Sequence, residues 1–275
     1  HYAVDVAAAP DAPRYTVTVD ADSVLPQRDD EPVSADLAWQ LSAPAPSEVR
    51  VDGTGRVSYE SDHLVVRHRT AAPYPTGLGL DLTLGDDPVI EAALDIERFA
   101  PLAVGGVPLT VAGGRITASG VKSALAVAGE LDAEVEPVGE LALELAATVG
   151  SDGADVETFT LALLEGEARV SGRVDWQREP EGRFELVAEK IHLAGLPELP
   201  EAVLGGRLDG RFRVAEAGAE ATAELRALEG HWRDQPLSGS GAFSLTPAAV
   251  AVDGLELAAG RNRAALSARL GESLS

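Results

Sequence analysis

The 275-residue chain contains no cysteine and no methionine. Without cysteine, a disulfide framework, a thiolate zinc site and thiol chemistry are excluded. Aromatic residues make up only 4% of the sequence, too few to fill a thick core. Positive charge is also scarce: 22 Lys+Arg stand against 45 Asp+Glu, a formal net charge of -23. Such a field repels phosphate backbones and anionic head groups, which argues against nucleic-acid binding and against peripheral docking on a membrane. No apolar run approaches the ~20 residues of a membrane-spanning helix, and no signal peptide is present. The chain opens His1-Tyr2-Ala3-Val4-Asp5-Val6 and closes Ala268-Arg269-Leu270-Gly271-Glu272-Ser273-Leu274-Ser275, both in mid-alternation. It therefore reads as a piece of a longer protein, with any targeting segment outside it.

What is present is apolar enough to fold. Hydrophobic residues reach 45% and charged ones 24%, outside the range of intrinsic disorder. The basic residues are 20 arginines and two lysines, Lys122 and Lys190. That bias suits a GC-rich genome, and the dense carboxylates also suit a salty environment.

Period-two alternation dominates the chain. Glu140-Leu141-Ala142-Leu143-Glu144-Leu145 puts three leucines on one side and Glu, Ala, Glu on the other. Thr158-Phe159-Thr160-Leu161-Ala162-Leu163, Arg169-Val170-Ser171-Gly172-Arg173-Val174-Asp175-Trp176 and Arg211-Phe212-Arg213-Val214 repeat the scheme. A helix would scatter these side chains around its axis, whereas a strand gathers them onto one face. The pattern predicts an all-β protein of roughly twenty strands, each of about five to eight residues.

Turn signals fall at Asp52-Gly53-Thr54-Gly55, Gly85-Asp86-Asp87-Pro88, Gly150-Ser151-Asp152-Gly153, Asp253-Gly254 and Gly260-Arg261-Asn262. Gly, Asn and Asp accept the positive φ of tight hairpins, and Asn262 is expected to hold such a residue. Ala43-Pro44-Ala45-Pro46-Ser47 reads as a polar corner. The stretch 196–205, with Pro197 and Pro200, is a short interruption, either a single helical turn or a kink. Gly-Arg-aliphatic recurs at Gly55-Arg56-Val57, Gly114-Arg115-Ile116, Gly172-Arg173-Val174 and Gly206-Arg207-Leu208. Leu-Glu-Gly recurs at 164–166 and 228–230. The uneven spacing excludes a strict solenoid and favours an array of degenerate hairpins.

A thin Val/Leu/Ala face suits a lining more than a sandwich core. About twenty strands at ~4.8 Å would make a sheet ~100 Å long, and open sheets of that size curl or split. Curling would turn the apolar face inward as a long groove. A closed barrel or sandwich satisfies the same alternation.

Chemical motifs are sparse. Asp20-Ala21-Asp22 with Glu31 has EF-hand spacing, but Val24 stands at the third ligand and Leu25 at the turn glycine, so no calcium loop forms. His63 and His68 are five apart and should point to opposite faces, which prevents a shared metal. His192 and His231 have no sequence partner. Gly239-Ser240-Gly241 lies inside an alternating run, where glycine marks a bulge or a close approach. No nucleophile elbow, phosphate loop or dinucleotide fingerprint occurs. No cofactor or catalytic residue is expected.

Four stretches carry a family likeness. They are Leu163 to Trp176, a Gly-rich strand closing on Trp; Phe184 to Glu189, leading into Leu196-Pro197-Glu198-Leu199-Pro200; Leu228 to Gly241; and Leu255 to Gly271. In order and content, residues 105–275 resemble the TamB family of the AsmA-like superfamily, the bridge-like lipid transporters. Pro180 follows Trp176 by four residues, where the family has Trp-x-Pro.

The resemblance implies that residues 1–275 form one elongated, strongly curved β-groove segment, a β-taco, of a periplasmic protein anchored in the inner membrane. It implies phospholipid acyl chains as cargo, and an outer-membrane Omp85-type barrel, TamA, as a partner reached through parts outside this chain. On the alternation, the groove would be lined by Leu141, Leu143, Leu145, Phe159, Leu161, Leu163, Val170, Val174, Trp176, Phe212, Val214 and Phe243. A chaperone for outer-membrane β-barrels and a closed β-module of a surface protein are the competing readings.

Overall fold

The computed structural model describes residues 2–6, 15–24, 32–42, 50–71, 73–104, 107–136, 138–196, 201–215 and 218–271. The corner at Ala43–Ser47, Pro197–Pro200 of the interruption, and Glu31 lie outside the described residues. Apart from a single 3-10 turn at Leu193–Gly195, every regular element among the described residues is a strand. The strands belong to one antiparallel sheet that is not closed into a barrel. No described helix is long and apolar enough to cross a membrane.

The chain divides into two units, His1–Ala133 and Glu134–Ser275. In the first, β1 (Tyr2–Val6), β2 (Tyr15–Val24), β3 (Val33–Ser42), β4 (Arg50–Glu60), β5 (His63–Thr70), β6 (Thr76–Thr83) and β7 (Val89–Ile96) pair in chain order. Next come β8 (Phe99–Val104), β9 (Val107–Val121) and β10 (Ala124–Val135), within which the division falls. β7 and β8 pair with different halves of the 15-residue β9. The second unit contains β11 (Gly139–Val149), β12 (Gly153–Leu163), β13 (Gly166–Asp175), β14 (Glu181–His192), β15 (Ala202–Ala215), β16 (Gly218–Trp232), β17 (Gln235–Thr246), β18 (Ala249–Ala259) and β19 (Asn262–Gly271), again paired in order.

The units differ in regularity. From β1 to β7, and between β7 and β9, the register runs without a shift. From β11 to β19 every pairing except β13–β14 carries a shift. Most shifts fall at or near mid-strand, as at Val156/Phe159, Leu225/Leu228 and Val252/Leu255, while that between β14 and β15, at Ala188/Ile191, lies near the end of β14. An inserted residue bends its strand and raises the local twist. From β15 to β19 the shifts succeed one another on neighbouring strands, at Arg207/Leu208, Leu225/Leu228, Ser240/Ala242 and Val252/Leu255.

Strands are longer than the sequence pattern suggests, with 15 residues in β9 and in β16. Glycines were the source of the difference. Asp52-Gly53-Thr54-Gly55, expected as a turn, lies inside β4, where Gly53 faces Trp39 and Gly55 faces Leu37. Asp253-Gly254 lies inside β18, and Gly254, at φ +57°, forms part of a bulge. Gly241 of β17 lies opposite that bulge, between Ser240 and Ala242, a close approach as its setting suggested. Asn262 is the first residue of β19, paired with Ala259, and the positive φ of that turn belongs to Gly260. The two Leu-Glu-Gly copies are not equivalent: Leu164-Glu165 is a hairpin turn, while Leu228 and Glu229 lie in the middle of β16.

Several two-residue turns are instead made by ordinary residues. Ser61-Asp62, Leu164-Glu165 and Arg233-Asp234 all adopt positive φ at both positions, as primed hairpins require. Leu164 and Glu165 hold this conformation against the steric penalty on any Cβ. Replacing exposed Glu165 by Gly should therefore raise the urea-unfolding free energy by about 1 kcal/mol. Glu165→Val should lower it, and equal midpoints for the two variants would contradict the turn geometry.

Candidate functional site

Residues directly opposed in register carry their side chains to the same face. In the first unit one such row reads Leu37, Gly55, His68, Leu78, Leu94, Ile116 from β3 to β9. The row beside it reads Ala35, Val57, Val66, Leu80, Ala92, Ala118. In the second unit Leu145, Phe159, Val170, Leu186, Leu208 and Leu225 form a row from β11 to β16. Each unit thus carries one continuous apolar face.

Among the described residues no second layer covers these faces. Among the described residues only Val51, Val111, Ala133, Ala147 and Ala202 are buried hydrophobics, and no side chain is fully buried. Most apolar side chains stay half-exposed, and Val214 at 43% and Leu245 at 41% are open to solvent. A closed barrel or sandwich would bury them, so the closed alternative is not what forms.

Trp39 and His68 are a polar feature of the first unit's apolar face. Their rings stack with centroids 5.6 Å apart and planes 7° from parallel. Trp39 Nε1 donates to His68 Nε2 at 2.7 Å, which requires the imidazole to keep its proton on Nδ1. The Trp39 ring lies over Gly53, where a Cβ would collide with it.

The opposite face is charged, and here the Gly-Arg-aliphatic motif acquires its meaning. All four copies lie inside strands, with the arginine exposed. Each arginine pairs with a carboxylate on a neighbouring strand, the one preceding it along the sheet: Arg56–Asp36, Arg115–Asp95, Arg173–Asp155 and Arg207–Glu185. The acid lies 20 residues upstream in the first pair, 18 in the third and 22 in the fourth. In the first three pairs the partners oppose each other directly in register. Such exposed pairs contribute little stability one by one. They do fix which side of each strand faces water, because a one-residue slip would carry the charges onto the apolar face.

The electrostatics follow the same pairs. The Arg56 fork binds both Asp36 oxygens, at 2.6 and 2.7 Å, and holds that carboxyl below its ordinary range while raising its own pKa. Asp52 is lowered chiefly by the Gln40 amide at 2.7 Å, then by Arg50. Glu179 raises Arg213 in the same way. His63 and His68 do lie on opposite faces: His63 Nε2 contacts Asp81 at 2.8 Å on the charged side. Among the described residues no group of three or more His, Asp or Glu could hold a metal ion.

Most residues named from the alternation share one surface. Leu143 faces Leu161, Leu145 faces Phe159, Phe159 faces Val170, and Leu141 and Leu163 continue the same sides of their strands. Val174 and Phe212 both face Gly182, Val214 faces Ala219, and Phe243 faces Ala223. Trp176 stands apart, just past β13. Its Nε1 donates to the Ser151 carbonyl at 3.0 Å and ties the ring to the β11–β12 turn.

Residues 100–275 match the family model described as TamB, N-terminal domain. The chain belongs to the TamB family. No curated protein and no solved structure matches the chain. The TamB match covers the whole second unit and reaches back through β10 and β9 into β8 of the first, which agrees with the stretches that carried the resemblance. TamB proteins serve a transport and assembly module of the cell envelope.

Sequence reasoning missed Phe184, Leu186, Leu208 and Leu225 on the TamB face, and the whole apolar face of the first unit. The signal was present in Phe184-Glu185-Leu186 and in Leu78-Gly79-Leu80-Asp81-Leu82.

Asp36 has a depressed folded-state pKa, so its stabilising effect is full above the ordinary carboxylate value and is lost as pH falls through the lowered one. Carboxyl NMR titration should show Asp36 with a midpoint below that of a free aspartate. Arg56→Gln should return it to the ordinary value; an unchanged midpoint would show that the fork is not the cause.

Proposed function

We propose that this chain is a segment of a conduit that carries phospholipids between the inner and outer membranes, with acyl chains on the apolar face and head groups in water. The observation that carries the reading is a continuous apolar face that, among the described residues, no second layer covers. Large exposed apolar patches mark binding surfaces, because leaving them wet is unfavourable. Membership of the TamB family supports a lipid in that place, and a location in a periplasmic protein anchored in the inner membrane. A TamA-type barrel would be reached through other parts of the protein.

The energetics suit transport. Each methylene kept from water is worth ~0.8 kcal/mol, so an acyl chain needs an unbroken lining to leave a bilayer. Leu, Val and Ala give similar contacts from strand to strand, with no deep local well to trap cargo. The charged face stays in water and keeps the segment soluble. No step here requires a covalent reaction.

Native mass spectrometry with lipid extraction tests the proposal. The purified chain should carry phospholipid that is released on denaturation. Leu143→Arg puts a charge on the apolar face and should leave the chain folded while lipid loading drops. A folded, lipid-free wild type would overturn the reading, as would a Leu143→Arg variant that folds and loads normally.

A further inference from the structure

Two neighbouring rows of the second unit's apolar face intersperse large side chains with glycine and alanine. One runs Gly172, Phe184, Gly210, Ala223, Phe243 from β13 to β17. The other runs Val174, Gly182, Phe212, Ala221, Leu245 across the same strands. Each phenylalanine therefore has glycine or alanine opposite it on the strand before.

Glycine on an adjacent strand leaves room for two of the rings, Phe184 over Gly210 on the strand after it and Phe212 over Gly182 on the strand before it. A Cβ placed on Gly210 would fall within the Phe184 ring, its nearest atoms being Cζ, Cε1 and Cε2. A Cβ on Gly182 would lie 2.7 Å from Phe212 Cε1 and 2.8 Å from Cζ. Both rings thus lie flat across the adjacent strand and do not stand away from the sheet. The next row, Val170, Leu186, Leu208, Leu225, consists only of branched aliphatic side chains. The outcome is a shallow floor of ring faces and backbone beside an aliphatic ridge.

We infer that this glycine–phenylalanine band of β13–β17 is the track on which a phospholipid acyl chain lies. The inference rests on the conduit reading and gives it a place. The band crosses the strands, so it runs along the direction in which the sheet extends. Four strand spacings span ~19 Å, comparable to one acyl chain, or half of a ~30 Å bilayer core. A protein partner docks by setting side chains into recesses, and over Gly182 and Gly210 that space is taken by the rings of Phe212 and Phe184. A methylene chain needs only a continuous smooth contact. Gly182 and Gly210 are positioning residues in this account: they keep the rings down.

Gly210 is the position at which to test this. The three atoms nearest an added Cβ there all belong to the Phe184 ring, whereas at Gly182 the Arg173 carbonyl lies as close as the Phe212 ring and at Gly172 the Arg183 carbonyl is nearest. The chain would be incubated with vesicles of phosphatidylethanolamine bearing a diazirine on one acyl chain, irradiated, and its peptides mapped. Crosslinks should concentrate on Phe184, Phe212 and Phe243 over the outer-face residues Glu185 and Arg211. Gly210→Ala should lift the ring and cut crosslinking about tenfold, the contact of roughly two methylenes. Gly210→Ala with Phe184→Leu should restore it. A wild type that takes up no probe would overturn the conduit reading and the track with it. A wild type that loads with crosslinks confined to the Leu186–Leu225 row would overturn the track alone. So would a folded Gly210→Ala that loads like wild type. If Gly210→Ala does not fold, the crosslink map and the double variant still decide.

Discussion

The fold depends on burying an apolar face without a second layer to bury it against. An ordinary domain satisfies its hydrophobic residues by packing sheet on sheet or helix on sheet. Here five buried hydrophobics among the described residues are all that resembles an interior. Cohesion comes from the ladder of backbone hydrogen bonds and from lateral contacts between side chains on the same face. That places unusual weight on register, because a slip of one residue would exchange the apolar and charged sides of a strand.

Three devices answer this demand. On the charged face, arginines of the Gly-Arg-aliphatic motif meet acids about one hairpin upstream, directly opposed in three of four copies. On the apolar face, glycine opposite Trp39, Phe184 or Phe212 lets a ring cross to the next strand, which recovers contact area that a single layer otherwise lacks. Mostly near mid-strand in the second unit, bulges bend the sheet where a flat one would be left fully wet on its apolar side. The glycines, arginines and bulges are parts of one solution, since each motif places a small inner residue beside a charged outer one.

Much of this was legible from the alternation alone. Period two gave strands, the common phase of the apolar residues gave a single face, and nearly all residues named for that face share it. What was misread concerns glycine. Gly53, Gly55 and Gly254 looked like turns and lie within strands, while Leu164-Glu165 and Arg233-Asp234 were not among the turn signals and form turns. A glycine in a turn and a glycine under an aromatic ring look alike in one dimension. What separates them is the residue across the strand, which lies 14 positions away for Trp39 and Gly53 and 26 for Phe184 and Gly210.

Local periodicity and composition set the class of the fold and its two-faced character, and the order of motifs carried the resemblance that the TamB family model matches. Tertiary structure alone decided that the apolar face stays uncovered, where the bulges fall, which acid each arginine meets, and that the rings of Phe184 and Phe212 lie flat over glycine. Those outcomes depend on register between strands and on the height of opposing side chains, and neither is encoded in any one stretch of chain.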